Sequence, residues 1–186
     1  MPFPFARCGA LCASVLVLSI AACDNDDDLT SPQVSAMPTS ADRSFIDGMV
    51  PHHGMATMSA DMAIARAVHP ELRQLAQQMK SDQQKEIDLL KSWKKSWFGT
   101  DSVPNPMMPA DIPAGPNFDL EWIKMMLTHH QGAIDMSTLT IGAPSRAESD
   151  SLAQHIIDEQ REEQSKLRTW AKQWYGATLS VSPSRQ

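Results

Sequence analysis

Cysteine is scarce in this 186-residue chain, which has three, and all of them lie in its first 23 residues. Cys8 and Cys12 fall in the N-terminal apolar region, and Cys23 directly follows it. The rest of the chain therefore has no disulfide, no thiolate metal site and no cysteine nucleophile. A domain without covalent cross-links must be stabilised by the apolar surface that it buries.

Basic blocks and phosphate-binding loops are also missing. The 16 Lys and Arg are outnumbered by 22 Asp and Glu, which gives a formal net charge of −6. This balance argues against nucleic acid as a partner. The eight glycines form no phosphate loop and no nucleophile motif of a hydrolase is present.

The N-terminus has the layout of a secretory signal. A single charge, Arg7, precedes an apolar run that is too short to span a bilayer, so residues 1–22 are predicted to be a signal peptide. The sequence Ile-Ala-Ala-Cys at 20–23 resembles the lipobox of bacterial lipoproteins. That resemblance implies lipidation of Cys23 and anchoring to the membrane on the periplasmic side of the cell envelope. An ordinary cleaved signal is the alternative.

The chain contains one segment twice. Residues 45–99 align without a gap on 122–176, at an offset of 77, with 17 identities in 55 positions. A repeat of this kind indicates a duplicated supersecondary unit. Each copy carries an adjacent histidine pair: His52, His53, His129 and His130.

Apolar residues recur with helical spacing in both repeats, and no strand-like alternation is present. The predicted helices are 42–68, 71–98, 119–141 and 146–175. Five prolines in 99–117 predict a crossover there. The fold class is therefore all-α: a four-helix bundle of two repeated hairpins within 42–176. We expect a disordered tether at 23–41 and a flexible tail at 177–186.

Several finer predictions concern individual side chains. Ser145 and Glu148 have capping-box spacing. His69 is expected to be exposed, and His155 has no assigned role. The tryptophans are expected to close one end of the core: Trp93, Trp97, Trp170 and Trp174. The lysine cluster is expected to form a solvated face: Lys91, Lys94 and Lys95.

Methionines accompany the histidine pairs at helical spacing. Met49 lies three and four residues before His52 and His53, so their side chains meet on a helix. Imidazole and thioether ligands together suit copper, Cu(I) in particular. The alternative is that the methionines fill the core and the histidines are only hydrogen-bonded. The candidate metal ligands are Met49, His52, His53, Met126, His129, His130 and Met136.

Two polar residues interrupt the apolar stripe of the second helix in each repeat. They are Gln83 and Glu86 in the first repeat and Gln160 and Glu163 in the second. Buried carboxylates are costly unless they are partnered, and the histidine pairs are the expected partners. They would orient the metal ligands as a second shell or bind the metal directly. Alternatively, they form a buried histidine–carboxylate–amide network that fixes helix register in a structural or interaction module of the envelope.

The run Met-Leu-Thr-His-His-Gln-Gly-Ala-Ile-Asp-Met at 126–136 resembles the signature of the domain-of-unknown-function 305 family. Residues 49–56 resemble it too, although Ser59 stands where the family usually has methionine. The resemblance covers about 42–176. It implies a ferritin-like helical fold, export from the cytoplasm, and a role in copper binding and resistance, to which some members are linked.

A ferritin-like fold also suggests a di-iron oxidase, which needs Glu-x-x-His pairs on two helices. No such pair occurs in this sequence. The sequence therefore predicts a non-enzymatic metal-binding protein of the envelope that sequesters or delivers copper. The structural module is the alternative, and a metal-dependent redox enzyme is a third hypothesis.

Overall fold

The computed structural model describes residues 37–181, and four helices account for all of the regular structure in this range. They are α1 Ser40–Arg66, α2 Pro70–Phe98, α3 Phe118–Ile141 and α4 Ala147–Tyr175. The predicted all-α bundle of two hairpins is confirmed, and each predicted helix end lies within two residues of the observed end. Across these residues, no helix combines the length and the hydropathy needed to span a bilayer. The predicted signal peptide and Cys23 lie outside the described residues.

Each hairpin is formed by neighbouring helices, α1 with α2 and α3 with α4, and the hairpins join where α1 packs against α3. Small side chains allow this approach, because Ala56, Ala60 and Ala63 of α1 are fully buried. The indole Nε1 of Trp122 on α3 donates to the carbonyl oxygen of Ser59 on α1 at 2.9 Å. Residues of both repeats therefore form one continuous interior.

Two equivalent aspartates cap helices across the repeat boundary. The carboxylate of Asp42, at the start of α1, accepts the backbone N–H of Arg146, the N-cap of α4, at 2.9 Å. The carboxylate of Asp119, at the start of α3, accepts the backbone N–H of His69, the N-cap of α2, at 2.9 Å. Both aspartates are fully buried. Each hairpin thus satisfies an orphan donor at the second helix of the other.

This arrangement corrects the predicted capping box at Ser145 and Glu148. The N-cap of α4 is Arg146, one residue later, and no side chain of its own segment caps it. The box forms at α1 instead, where Thr39 and Asp42 bond reciprocally. The spacing of Ser145 and Glu148 predicted a local cap that does not form. The N-terminus of α4 is capped instead by Asp42 of another helix.

Two side chains that the sequence predicted to be exposed, His69 and Lys94, are partly or fully buried against other helices. His69 stacks on Trp174 with ring centroids 3.8 Å apart, and its Nδ1 lies 2.7 Å from the Asp119 carboxylate. Lys94 is 2% exposed, and its ammonium contacts the Asp47 carboxylate of α1. Both are held inward by a carboxylate of another helix, which a pattern along one helix does not reveal.

Two apolar clusters fill the ends of the bundle. One combines the C-terminal half of α1 with the N-terminal half of α3, and the other combines the opposite halves. Trp93 and Trp97 stack 4.8 Å apart against the second cluster, whereas Trp170 and Trp174 stack 5.1 Å apart against the first. The prediction that all four close one end is wrong, because the hairpins run in opposite directions.

The segment after α4 is not helical but contacts the bundle. Ala177, Leu179 and Val181 pack against the cluster that contains Trp170 and Trp174. The sequence indicated a flexible tail here, since apolar periodicity ends at α4. Isolated apolar residues that pack on a preformed surface leave no such signal.

Candidate metal centre

The centre of the bundle is a polar layer built around His52 and His129. These equivalent residues face each other where α1 meets α3, with ring centroids 3.6 Å apart. The Nε2 of His129 lies 3.0 Å from the carbonyl oxygen of His52. Gly132 makes room for the pair, because a Cβ at that position would lie 3.0 Å from the His52 Nε2.

The second histidine of each pair points toward the other helix of its own hairpin. The Nε2 of His53 lies 2.8 Å from the Glu86 carboxylate of α2, and the Nε2 of His130 lies 2.9 Å from the Glu163 carboxylate of α4. Both imidazoles are fully buried. These are the partners expected from the polar residues in the α2 and α4 stripes. Neither approach is aligned as a hydrogen bond.

All four imidazoles therefore belong to one interior layer. Within each pair the ring centroids are 6.2 Å apart, in His52–His53 and in His129–His130. Adjacent helical residues point about 100° apart, so two inward-facing neighbours need covering helices on two sides. The contact between α1 and α3 covers one direction, and α2 or α4 covers the other.

Burial keeps three histidines of this layer neutral. It lowers the pKa of His52 to about 2, with a further contribution from repulsion by His129, and it lowers the pKa of His129 and of His130 to about 3. Burial, together with the nearby Glu86 carboxylate, raises the pKa of Glu163 to about 7. The contact between His130 and Glu163 is therefore not an ion pair at neutral pH.

Several ring nitrogens of the layer have no hydrogen-bond partner. They are the Nδ1 atoms of His52, His53, His129 and His130 and the Nε2 atoms of His53 and His130. The side-chain oxygens of Gln83 and Gln160 are equally buried and unpartnered. Leaving a buried polar atom unpaired costs about 1–3 kcal/mol. The neutral imidazole nitrogen is also a common protein ligand of transition metals, so this set of atoms fits a metal ion.

The methionines flank this layer. Met49 and Met126 are fully buried, each one turn before a histidine pair, but they belong to the two different apolar clusters. Met136 packs on α1, and its Sδ lies 3.2 Å from where a Cβ of Gly48 would stand. The structure thus brings the four histidines together, with a thioether on either side of them.

His155 is the residue that the sequence reading missed. It lies on α4 with its Nε2 3.8 Å from Glu159 and 3.9 Å from the Oε1 of Glu86 on α2. Burial raises the pKa of Glu159, and the nearby Glu86 carboxylate adds to the shift. The spacing of His155 and Glu159, four residues apart on one helix, was the available signal.

The chain belongs to a family of helical proteins. It belongs to the family described as Domain of unknown function (DUF305), whose model matches residues 42–116 and 119–185, nearly all of the bundle and its crossover. This confirms the resemblance drawn from the two histidine motifs. A comparison with curated proteins gave no significant match.

Solved structures similar to this chain include those of the protein CopM. In its Cu(I)-bound form CopM is 38% identical with a TM-score of 0.67, and the match covers 73% of this chain and 98% of CopM. In its co-crystallised Ag-bound form it is 39% identical with a TM-score of 0.68 and the same coverage. A putative secreted DUF305 protein from Streptomyces coelicolor is 20% identical with a TM-score of 0.67, covering 76% and 96% of the two chains. This last likeness shows the fold alone.

Proposed function

We propose that this protein binds copper ions in the bacterial cell envelope and thereby sequesters or delivers them. The observation that carries the proposal is the convergence of four imidazoles, each with a buried and unpartnered ring nitrogen, at the centre of the bundle. The proposed ligands are His52, His53, His129 and His130, with Met49 and Met126 beside them. Met136 is the remaining thioether candidate.

Copper is favoured over other metals by the donor set. The layer offers imidazole nitrogens flanked by thioether sulfurs, a combination that suits soft Cu(I) better than hard, oxygen-seeking cations. The two carboxylates that contact the layer, Glu86 and Glu163, each lie beside one histidine and would orient it as a ligand. The 38% identity with CopM, whose structure is known with Cu(I) bound, supports the same choice.

The location in the envelope is part of this proposal. It is supported by the signal-like N-terminus and by the lipobox-like sequence that ends in Cys23. Expression of the full chain in a bacterial host, followed by fractionation and mass spectrometry, tests it. Lipidated Cys23 in the membrane fraction is expected, and a Cys23→Ser variant should lose the lipid and leave that fraction. A wild-type chain with unmodified Cys23 would contradict the anchoring.

The copper proposal is tested by titrating Cu(I) against a competing chromophoric chelator. We expect the domain 37–181 to bind tightly and a variant with all four histidines changed to Gln to lose that binding while it keeps its helical circular dichroism. His155→Gln serves as the control, because His155 lies outside the layer and its variant should bind Cu(I) as the wild type does. Full binding by the four-histidine variant would refute the proposal.

A structural role for the same residues is the second candidate. This role is favoured by two contacts, His53 with Glu86 and His130 with Glu163, because each joins the two helices of a hairpin. If this were the only role, the four substitutions would lower the melting temperature and Cu(I) would not raise that of the wild type. A ligand that binds only the folded state at 100 times its Kd stabilises by about 2.7 kcal/mol, so the melting temperature separates the two hypotheses.

A further inference from the structure

A second cluster of metal-ligating groups lies outside the histidine layer, in a cleft between α2 and α4. It consists of Glu86, His155 and Glu159, each of which has one ligand atom within 4.8 Å of the others. Asp82 and Lys85 complete the lining of the cleft. His155 is well exposed, with 64% of its side chain accessible, so the cleft opens to solvent.

The carboxylate of Glu86 distinguishes this cluster from a group of surface charges. Glu86 is only 6% exposed, and both of its oxygens lack a hydrogen-bond partner. Its Oε2 faces His53 in the interior, whereas its Oε1 faces His155 at 3.9 Å. A nearly buried carboxylate oxygen without a donor is costly unless it is protonated, hydrogen-bonded or paired with a cation, and a metal ion in the cleft would supply that pairing.

We propose that Glu86, His155 and Glu159 form a second metal site, which takes a divalent transition-metal ion of borderline softness such as Zn²⁺ or Cu²⁺. Two carboxylates and one imidazole suit such ions, and no methionine is among the residues that line the cleft, which disfavours Cu(I). Ligand atoms about 2.0–2.1 Å from a tetrahedral ion are about 3.4 Å apart. The His155 Nε2 lies 3.8 and 3.9 Å from the two carboxylates, and all three ligand atoms lie within 4.8 Å of one another, so closure on an ion requires shifts of at most about 1.4 Å.

The charges around the cleft agree with a cation. Asp82 and Lys85 pair with each other at 2.7 Å, so the residues that line the cleft offer Glu86 and Glu159 no other lysine or arginine as a partner. The equivalent positions of the other repeat are Gln78 and Asp82, which bond to each other and offer no imidazole. The geometry therefore assigns one such site to residues 37–181. It does not depend on the proposed copper site, although Glu86 contacts both.

Zn²⁺ is the probe that tests this site, because it is redox-inert and accepts this ligand set. Calorimetric titration of the domain 37–181 should show Zn²⁺ binding that weakens about tenfold or more in His155→Gln and in Glu159→Gln. Glu162→Gln is the matched control: its carboxylate lies on the same helix, pairs with Lys166 and is outside the cluster, so its isotherm should equal that of the wild type. All three variants replace exposed or half-exposed side chains, and their metal-free melting curves should match the wild type.

A spectroscopic measurement identifies the ligand directly. On addition of one equivalent of Zn²⁺, the imidazole resonances assigned to His155 by comparison with His155→Gln should shift first. Zn²⁺ affinity unchanged in His155→Gln, or shifts confined to the four histidines of the layer, would overturn the proposal. Cu(I) binding should be the same in His155→Gln and the wild type, so this result is independent of the outcome for the copper site.

Discussion

His52 and His129 occupy equivalent positions in two copies of one helical segment, and their imidazole rings face each other with centroids 3.6 Å apart. The contact lies where α1 crosses α3. It places equivalent residues next to each other, as expected when two copies of a hairpin pack with opposite directions. The duplicated motif therefore builds one shared centre from both halves.

Gly132→Ala should disturb this centre without unfolding the domain. The new Cβ would lie 3.0 Å from the His52 Nε2, so the ring must shift from its present position against His129. Alanine also favours a helix over glycine by about 1 kcal/mol, which offsets part of the steric cost. We expect a change of less than about 1 kcal/mol in the free energy of unfolding and a Cu(I) affinity lowered about tenfold.

Gly48→Ala is the matched control for this substitution. Its Cβ would meet the Sδ of the candidate ligand Met136 at 3.2 Å, but a flexible methionine can take another rotamer and still reach the layer, so we expect a smaller loss of affinity than in Gly132→Ala. The ratio of Cu(I) affinities of the two variants is the measurement. Equal affinities for wild type and Gly132→Ala would show that the position of the His52 ring is unimportant for binding.

Acidification below about pH 6.5 should destabilise the metal-free domain. Burial lowers the pKa of His52 to about 2 and the pKa of His129 and His130 to about 3, whereas unfolded histidine titrates at 6.5. The unfolded state therefore binds more protons between these values, and each histidine removes up to about 1.4 kcal/mol of stability per pH unit. That contribution is fully present above pH 6.5 and is lost as the pH falls.

Glu163 contributes to the pH dependence of stability with the opposite sign to the histidines. Its pKa is raised from 4.5 to about 7, so the folded state holds a proton that the unfolded state releases, and stability from this group is lost as the pH rises from 4.5 to 7. Between about pH 4.5 and 6.5, its effect on the free energy of unfolding cancels that of about one of the three histidines. Urea midpoints measured from pH 8 to pH 5 should therefore fall on acidification, and less steeply than three histidines alone would give. A midpoint that stays constant or rises would contradict the neutral, buried layer.

Removal of either cross-hairpin cap should destabilise the bundle by a similar amount. Asp42→Ala and Asp119→Ala each leave backbone donors at the start of α4 or α2 unpaired, at a cost of about 1–2 kcal/mol. Asp61→Ala is the control, because Asp61 is largely exposed and its pair with Lys80 contributes at most about 1 kcal/mol. Chemical denaturation of the three variants gives the comparison. An Asp42→Ala variant as stable as Asp61→Ala would show that the cap is unimportant.

The sequence predicted the helices and the central contacts because both leave local signals. Five prolines in 99–117 and the glycines that follow α2 and α4 delimit the helices. Polar residues in an otherwise apolar stripe identified Glu86 and Glu163 as partners of the histidines. Such partners can be named without coordinates, since buried carboxylates require them.

What the sequence did not predict depends on how the hairpins are placed relative to each other. The caps from Asp42 and Asp119 reach across the repeat boundary, and the stacked tryptophan pairs lie at opposite ends for the same reason. His155 meets Glu86 only through the register of α4 against α2. Periodicity along one helix contains no information about any of these relationships.

The most direct test of the central claim is a crystal structure of the Cu(I)-loaded domain with anomalous diffraction recorded at the copper absorption edge. We predict a copper peak inside the bundle, within bonding distance of ring nitrogens from both His52–His53 and His129–His130. A loaded crystal in which copper is found only on the surface, with the four imidazoles unchanged and unligated, would contradict the account.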